Sequence, residues 1–272
     1  MNASYASKAS NTKVKVNKVK VNKVKAAPKF TVQKGGSNFG NYLLTAQKYI
    51  HVTDEEKILS VSEVNDLNYN GKIIGDMTGC FCPPHKGHLQ AIYDVCHKYR
   101  IDVIFVRTVN GATKSIESRH GLPLSVTMKL LAKYAKYIYA KLGTEVIISG
   151  LGGGIPRNFS SSVNKLYIIN SIETDGEPTA ADIKKAKEIE AEDPLTRYTK
   201  NILMNFDRAN NDKVFNVVMF RNNLTGISAT SFVKTMKTLA EASAAFLPDH
   251  ISLEEKYALI GDMISEFGIN LH

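Results

Sequence analysis

The sequence lacks any run of about 18 apolar residues, the length that a membrane-spanning helix requires. Its first residues also lack the uninterrupted apolar segment of a secretory signal. Cysteine is scarce: Cys80, Cys82 and Cys96 lie within one short stretch, which argues against a disulfide framework and favours a reducing compartment. We therefore expect a cytoplasmic protein with no membrane partner.

Acidic residues are absent from residues 1 to 34, which contain nine lysines. The whole chain has 35 Lys and Arg against 26 Asp and Glu, a net charge of +9. The 26 basic residues outside this segment therefore balance the 26 acidic ones. The excess positive charge belongs to the N-terminal tail, and the body of the protein is formally neutral.

The tail repeats the pattern KVKVN between Lys13 and Lys25. A period of five moves valine from one face of a strand to the other and spreads it around a helix, so neither element gains an apolar face. We expect residues 1–34 to be a disordered Lys-rich tail. It suits a solvated arm, an arm that binds nucleic acid or another polyanion, or a targeting segment.

The rest of the chain, at 43% hydrophobic content overall, is long enough to bury one medium-sized core. Residues 35–70 begin with Gly35-Gly36-Ser37 and are predicted to be a linker and a helical extension, interrupted by the polar residues 53–56. Residues 71–245 form the main predicted domain. Residues 246–272 are predicted to contribute a C-terminal helix, opened by Ser252 and Glu255 and packed on that domain.

Short apolar runs alternate with helical patterns from Lys72 onward, which predicts an α/β fold: a Rossmann-like, mostly parallel sheet with helices on both faces. The predicted strands are Lys72–Asp76, Asp102–Thr108, Glu145–Ser149, Lys165–Ile169 and Val214–Phe220. Residues at helical spacing between them are Leu89, Ile92, Tyr93, Cys96 and Tyr99, and then Met128, Leu131, Ala135, Ile138 and Leu142. Thr179 and Asp182 resemble a capping box that opens a further helix.

The first strand of this domain leads into the turn Gly79-Cys-Phe-Cys-Pro-Pro-His-Lys-Gly-His88 and then into a helix. A helix N-terminus after a parallel strand is an anion site, because its backbone N–H groups and its dipole face the ligand. Gly87 allows a phosphate to approach the backbone closely. His85 and His88 can donate hydrogen bonds, and Lys86 adds a cation.

This turn resembles the first signature of the nucleotidyltransferase superfamily, Gly-x-Phe-x-Pro-x-His-x-Gly-His after the first strand. Ile227-Ser-Ala-Thr230 resembles the second signature, ISSTxxR, and follows the first by about 140 residues. Residues 123–129 resemble a segment of bacteriophage members, and with the repetitive tail this suggests a viral protein in the host cytoplasm.

The resemblance implies transfer of AMP or CMP from ATP or CTP to a small phosphorylated acceptor, with release of pyrophosphate. Mg²⁺ would bind through the nucleotide phosphates, and no covalent intermediate is expected. His85, Lys86 and His88 would stabilise the charge on the triphosphate, and Ser228 and Thr230 would hold its β- and γ-phosphates, with Arg221 or Lys234 supplying a cation. The remaining residues implied in nucleotide binding are Gly79, Cys80, Phe81, Gly87, Arg221 and Ile227.

Two positions depart from the family pattern. Val233 stands where the second signature has Arg or Lys, and Lys234 follows about 100° further around the helix. Cys82 stands where many members have Asp, Asn or Gln. The departure at Cys82 means that the substrate cannot be taken over from the family. The departure at Val233 supports an alternative function, a catalytically degenerate protein of the same fold that binds nucleotide or nucleic acid through its basic tail.

Three further patterns have other interpretations. Cys80, Cys82, His85 and His88 could together bind zinc, although structural zinc sites usually take their ligands from two separated pairs. Residues 150–154, rich in glycine, lack the spacing of a phosphate loop and are predicted to be a loop. The charged run from Asp182 to Asp193 is predicted to be a solvated helix face.

Overall fold

The structure, a computed structural model, describes residues 48–79, 81–108, 124–150, 163–172, 179–192, 212–220 and 227–267. All of them lie within residues 34–272, one of the two units into which the chain divides. Several predictions fall outside the described residues: those for the Lys-rich tail, the glycine-rich linker, Cys80, Arg221 and residues 151–154.

Seven strands form one sheet in the described part of the chain, and its α/β, mostly parallel character confirms the predicted fold class. The strands are β1 (Lys48–Val52), β2 (Glu56–Ser60), β3 (Ile73–Gly79), β4 (Val103–Thr108), β5 (Glu145–Ser149), β6 (Lys165–Ile172) and β7 (Val214–Phe220). The five strands predicted from Lys72 onward are all present, with small changes at their ends. β3 continues three residues beyond its predicted end, which brings it directly to Gly79.

The strand order is β2-β1-β5-β4-β3-β6-β7, and neighbouring strands from β5 to β7 are parallel. The chain builds β4 and β5 on one side of β3, and then returns to build β6 and β7 on the other. The order in which the chain adds strands to the sheet reverses between β3 and β6. Open α/β sheets bind ligands at such a topological switch point, beside the carboxyl ends of the strands. The turn after β3 therefore lies at the switch.

Residues 48–60 correct the prediction of a helical extension, because they form the antiparallel hairpin β1–β2. β1 also pairs antiparallel with β5, which adds the hairpin to the edge of the parallel sheet. Four consecutive residues of β1 are buried, since Tyr49 contacts one apolar layer and Ile50 the other. A short strand buried on both faces has no alternating pattern, so its periodicity cannot be told from that of a helix. The polar residues 53–55 are the hairpin turn, where the Thr53 N–H donates to the Glu55 carbonyl.

Six α-helices and one 3₁₀ helix accompany the sheet in the described residues. They are α1 (Val61–Asn65), α2 (Lys86–Tyr99), α3 (Leu124–Leu142), α4 (Ala180–Ala191), α5 (Ala229–Thr238), the 3₁₀ helix Ala240–Phe246 and α6 (Leu253–Phe267). Thr179 forms the predicted capping box with Asp182, and Ser252 Oγ accepts from the Glu255 N–H at the start of α6. Only Ala186 of α4 is buried, which confirms a solvated helix from Asp182 as far as the described residues extend.

Apolar residues pack on both faces of the sheet. One layer joins Met77, Val106 and Ile148 of the strands to the buried faces of α2, α3, α5 and α6. The second layer includes Ile74 and Phe105 and is joined by α1. Each fully buried large side chain contributes about 1.5–3 kcal/mol. None of the described helices has both the length and the apolar character needed to cross a membrane.

An ion cluster lies at the amino end of the parallel strands, opposite the turn after β3. Glu145 Oε2 lies 2.8 Å from His51 Nε2, and Glu145 Oε1 accepts from Lys72 Nζ at 2.6 Å. The hydrogen bond with His51 has the largest effect on the pKa of Glu145 and lowers it, while burial raises it. The hydrogen bond and the charge of Lys72 lower it further, and the resulting pKa is about 2. This cluster ties the hairpin to β5 and to the start of β3.

Candidate functional site

The turn between β3 and α2 is held in a strained conformation around Phe81. Phe81 has φ of 46° and is 2% exposed, an unusual combination for a bulky residue. Its ring folds back over Gly79, so that a Cβ at Gly79 would lie 2.7 Å from Phe81 Cζ. Gly79 is therefore required by the close approach of this ring. The ring also meets His88 edge-on, with the ring centroids 5.2 Å apart.

His85 and His88 cap the start of α2 through their Nδ1 atoms. His85 Nδ1 accepts from the Gly87 N–H at 3.2 Å, and His88 Nδ1 accepts from the His85 N–H at 3.2 Å. The arrangement is a capping box in which histidines take the places usually held by Ser or Thr and Glu. The two rings are stacked with centroids 3.8 Å apart, and both residues are buried.

These hydrogen bonds determine the tautomer of each ring. A nitrogen that accepts a hydrogen bond carries no hydrogen, so the neutral His85 and His88 rings have their N–H at Nε2. A proton added at either Nδ1 would displace a backbone N–H donor. Nε2–H is therefore the ring donor of each histidine at this helix N-terminus.

Gly87 lies where the two signature segments meet. A Cβ at Gly87 would lie 3.1 Å from His85 Cε1 and Nδ1, and 3.8 Å from Ile227 Cγ2. Ile227 is the first residue of the second segment, so the fold brings together two stretches of chain separated by about 140 residues. The proximity places the start of α5 beside the start of α2.

The second segment caps α5. Ser228 Oγ accepts from the Ser231 N–H at 3.0 Å, and Ser231 Oγ accepts from the Ser228 N–H at 2.9 Å. Thr230 is exposed in the first turn of this helix. α2 and α5 have 14 and 10 residues, and the N-terminus of each provides backbone N–H groups and the positive end of a helix dipole.

Cationic side chains are present on both helices. Val233 is 6% exposed, whereas Lys234, the next residue of α5, is exposed. Lys86 is half-buried at the first position of α2. Within the described residues neither lysine ammonium group forms an ion pair, so both remain able to bind an anion.

Helix α3 holds the turn from the other side, through contacts that the sequence did not predict. The hydroxyl of Tyr134, which is fully buried, donates to the Pro84 carbonyl at 2.9 Å. Thr127 Oγ1 donates to Cys82 Sγ at 3.8 Å. The Cys82 side chain thus packs against α3.

A buried ion pair joins the middle of β3 to the carboxyl end of β4. Arg107 donates from Nε and from one terminal nitrogen to the two oxygens of Asp76, both at 2.6 Å. Burial raises the pKa of Asp76, and the Arg107 guanidinium opposes this effect. Two N–H groups of Arg107 bind the two carboxylate oxygens of Asp76, so the opposite charges neutralise each other within the pair.

The described site residues suit an anion better than a directly bound metal. Residues 81–88 and 227–234 contain hydrogen-bond donors and two lysines, and no Asp or Glu. No group of three or more His, Cys, Asp and Glu within the described residues is arranged to hold a metal ion. The zinc hypothesis includes Cys80, outside that part, and remains a prediction.

The predicted site residues fall into two neighbouring groups. The turn and the start of α2 contain Gly79, Phe81, His85, Lys86, Gly87 and His88. The start of α5 and its first turns contain Ile227, Ser228, Thr230 and Lys234.

No protein-family model matches the chain, and a comparison with curated proteins finds no significant match.

Proposed function

We propose that this protein is a nucleotidyltransferase that transfers AMP or CMP from a nucleoside triphosphate to a small phosphorylated acceptor. The observation that carries the proposal is the proximity of Gly87 and Ile227, which brings the N-terminal ends of α2 and α5 close together. Two helix N-termini, two histidine N–H donors and two lysines form a site for several adjacent phosphates. The resemblance of both segments to the superfamily signatures supports the same function.

The proposed reaction is an in-line displacement at the α-phosphorus. An oxygen of the acceptor phosphate forms a bond to the α-phosphorus, and the bond from that phosphorus to the bridging oxygen of pyrophosphate breaks. His85 and His88 would donate from Nε2 to phosphate oxygens as negative charge accumulates, and Lys86 and Lys234 would stabilise the leaving pyrophosphate. Mg²⁺, bound through the phosphates, would supply further charge neutralisation.

The described parts of the two signature segments contain no carboxylate, and the Nδ1 atoms of their two histidines already accept backbone N–H groups, so these segments suit a phosphorylated acceptor better than an alcohol. A hydroxyl nucleophile must lose its proton, which normally requires a general base within hydrogen-bond reach. A phosphate oxygen is already anionic at neutral pH and requires no base. Residues 81–88 and 227–234 provide donors that can orient such an acceptor, and no carboxylate that would repel it.

The test combines nucleotide binding with chemistry. Thermal unfolding is measured with ATP, CTP, GTP or UTP plus Mg²⁺, and pyrophosphate release is followed with a panel of phosphorylated acceptors. We expect one triphosphate to raise the Tm of the wild type, and His88→Ala to remove that shift and the pyrophosphate signal. His97→Ala is the matched control, because His97 is exposed on the same helix.

If no triphosphate stabilises the wild type, or if His88→Ala responds as His97→Ala does, the proposed function is wrong. A shift without pyrophosphate release on any acceptor would instead support the second candidate, a degenerate binding protein of the same fold. The buried Val233 favours this candidate, since an apolar side chain occupies the position of the signature cation.

The second candidate would act through the nine lysines of residues 1–34, with nucleic acid or another polyanion as partner. Such binding weakens steeply as the salt concentration rises. Deleting residues 1–34 should abolish it and leave nucleotide transfer intact. Equal oligonucleotide binding by the full and the truncated chain would exclude the tail as the binding element.

A further inference from the structure

The peptide unit between Pro84 and His85 is hydrogen-bonded at both ends. Its carbonyl oxygen accepts from the Tyr134 hydroxyl at 2.9 Å. Its N–H donates to His88 Nδ1 at 3.2 Å. A chain of two hydrogen bonds therefore runs from the phenol of α3, through one peptide unit, to the imidazole ring at the start of α2.

A peptide unit is planar, and in its trans form the C=O and N–H groups point in opposite directions. Whatever fixes the direction of the Pro84 carbonyl therefore also fixes the direction of the His85 N–H. That N–H is the donor that keeps hydrogen off His88 Nδ1 and leaves it on Nε2. Serial hydrogen bonds of this kind also polarise one another, which strengthens each of them.

Tyr134 is well placed to fix the carbonyl because it cannot easily move. It is fully buried in the middle of the 19-residue helix α3 and belongs to the larger apolar cluster. Thr127 lies about two helical turns earlier, on the same side of α3, and contacts Cys82 of the same turn. The turn is thus held at two points by one rigid helix.

We propose that Tyr134 is a positioning residue that sets the tautomer and the ring orientation of His88 through the Pro84–His85 peptide. Tyr134 itself touches neither nucleotide nor acceptor in this scheme. The effect on His88 follows from the contacts described above. Its consequence for catalysis rests on the proposed nucleotidyltransferase function, in which His88 Nε2–H must face a phosphate oxygen.

The test compares Tyr134→Phe with Tyr69→Phe in the full chain. Tyr69 is also buried, and its hydroxyl also donates to a backbone carbonyl, that of Val64, at 2.7 Å. This second bond lies in the other apolar layer, beside α1. Each variant removes one hydroxyl and keeps the ring, so both should lower the Tm by a similar amount.

The decisive measurement is the tautomer of His88, read from long-range ¹H–¹⁵N spectra of the histidine rings and assigned with His88→Ala. We expect hydrogen on Nε2 in the wild type and in Tyr69→Phe, and a mixture of ring states in Tyr134→Phe. With a nucleotide and acceptor that react, Tyr134→Phe should lower kcat about 2- to 10-fold, the effect of one net hydrogen bond, with a smaller change in KM.

An unchanged His88 spectrum in Tyr134→Phe would overturn the inference. Hydrogen on Nδ1 in the wild type would also overturn it, and that result is available even if the variant fails to fold. The tautomer measurement needs no substrate, so it separates the two proposals. A wild type that binds no triphosphate, with the expected tautomers, would refute the proposed function and leave the positioning role of Tyr134 intact.

Discussion

Replacing Gly79 with alanine would place a methyl carbon 2.7 Å from Phe81 Cζ and 2.8 Å from Phe81 Cε2. Ordinary contact between carbon atoms requires about 3.5–4.0 Å, so the ring would have to move by nearly 1 Å. Phe81 is 2% exposed and its ring meets His88 edge-on, which leaves little room for that movement. Gly79→Ala should therefore disturb both the core and the turn.

The expected loss of stability is about 1–3 kcal/mol, the usual cost of inserting a methyl group into a packed interior. For a chain of this size such a loss lowers the Tm by about 2–10 °C. We combine Gly79→Ala with a second substitution, Phe81→Leu. The second substitution removes the ring that causes the clash and creates a space that the new methyl group can fill. The double variant should be more stable than the sum of the two single effects predicts, by about 1 kcal/mol or more.

The assay is a double-mutant cycle by chemical denaturation, accompanied by the nucleotide-induced Tm shift of each variant. Gly75→Ala is the matched control on the same strand, because its methyl group would meet Ile101 Cδ1 at 2.8 Å instead of Phe81. Phe81→Leu should combine additively with Gly75→Ala. If the Gly79 and Phe81 effects add within about 0.5 kcal/mol, the ring does not impose the requirement for glycine.

Three further predictions concern the hairpin, the ion cluster and the lysines. Ile50→Ala should lower the free energy of unfolding by about 2–5 kcal/mol, because β1 is buried. Ile58→Ala on the exposed β2 should have almost no effect. Equal losses in the two variants would contradict the hairpin. The lowered pKa of Glu145, about 2 against an ordinary 4.5, contributes stability that is complete above pH 4.5 and is lost as the pH falls through 2. After allowance for partial exposure this contribution is about 1 kcal/mol. Glu145→Gln should remove it when the free energy of unfolding is measured as a function of pH in the acid range. An unchanged acid profile would show that the cluster has no such role. Each of the variants Lys86→Ala and Lys234→Ala should weaken triphosphate binding about 5- to 10-fold at low salt. The measurement is a competition assay, with Lys237→Ala as the exposed control. Unchanged affinity in both variants would show that these lysines do not belong to the site.

Local sequence was sufficient to predict the five parallel strands and the helices α2 and α3. Apolar periodicity and capping act between residues that are close along the chain, so they can be read without knowledge of the fold. The same reasoning placed a helix N-terminus directly after the turn at Gly79. It failed at residues 48–60, because β1 is buried on both faces and its pattern depends on the neighbours that cover it.

The residues around His88 show what only the tertiary structure determined. The sequence identified His85, His88 and Ile227 as candidates, yet their proximity depends on the strand order that places β3 between β4 and β6. Tyr134 carried no signal in the sequence, since a buried tyrosine on an apolar helix face looks the same whether or not its hydroxyl has a distant partner.

The sequence by itself determined the five parallel strands, the helices α2 and α3, the class of sheet and the chemical types available at the turn, because these follow from short-range geometry and side-chain chemistry. The tertiary structure determined the pairing of Arg107 with Asp76, the hydrogen bond from Tyr134 to Pro84 and the proximity of Gly87 and Ile227. These join residues that are far apart along the chain, and each is specified by the packing of the whole sheet and its helices.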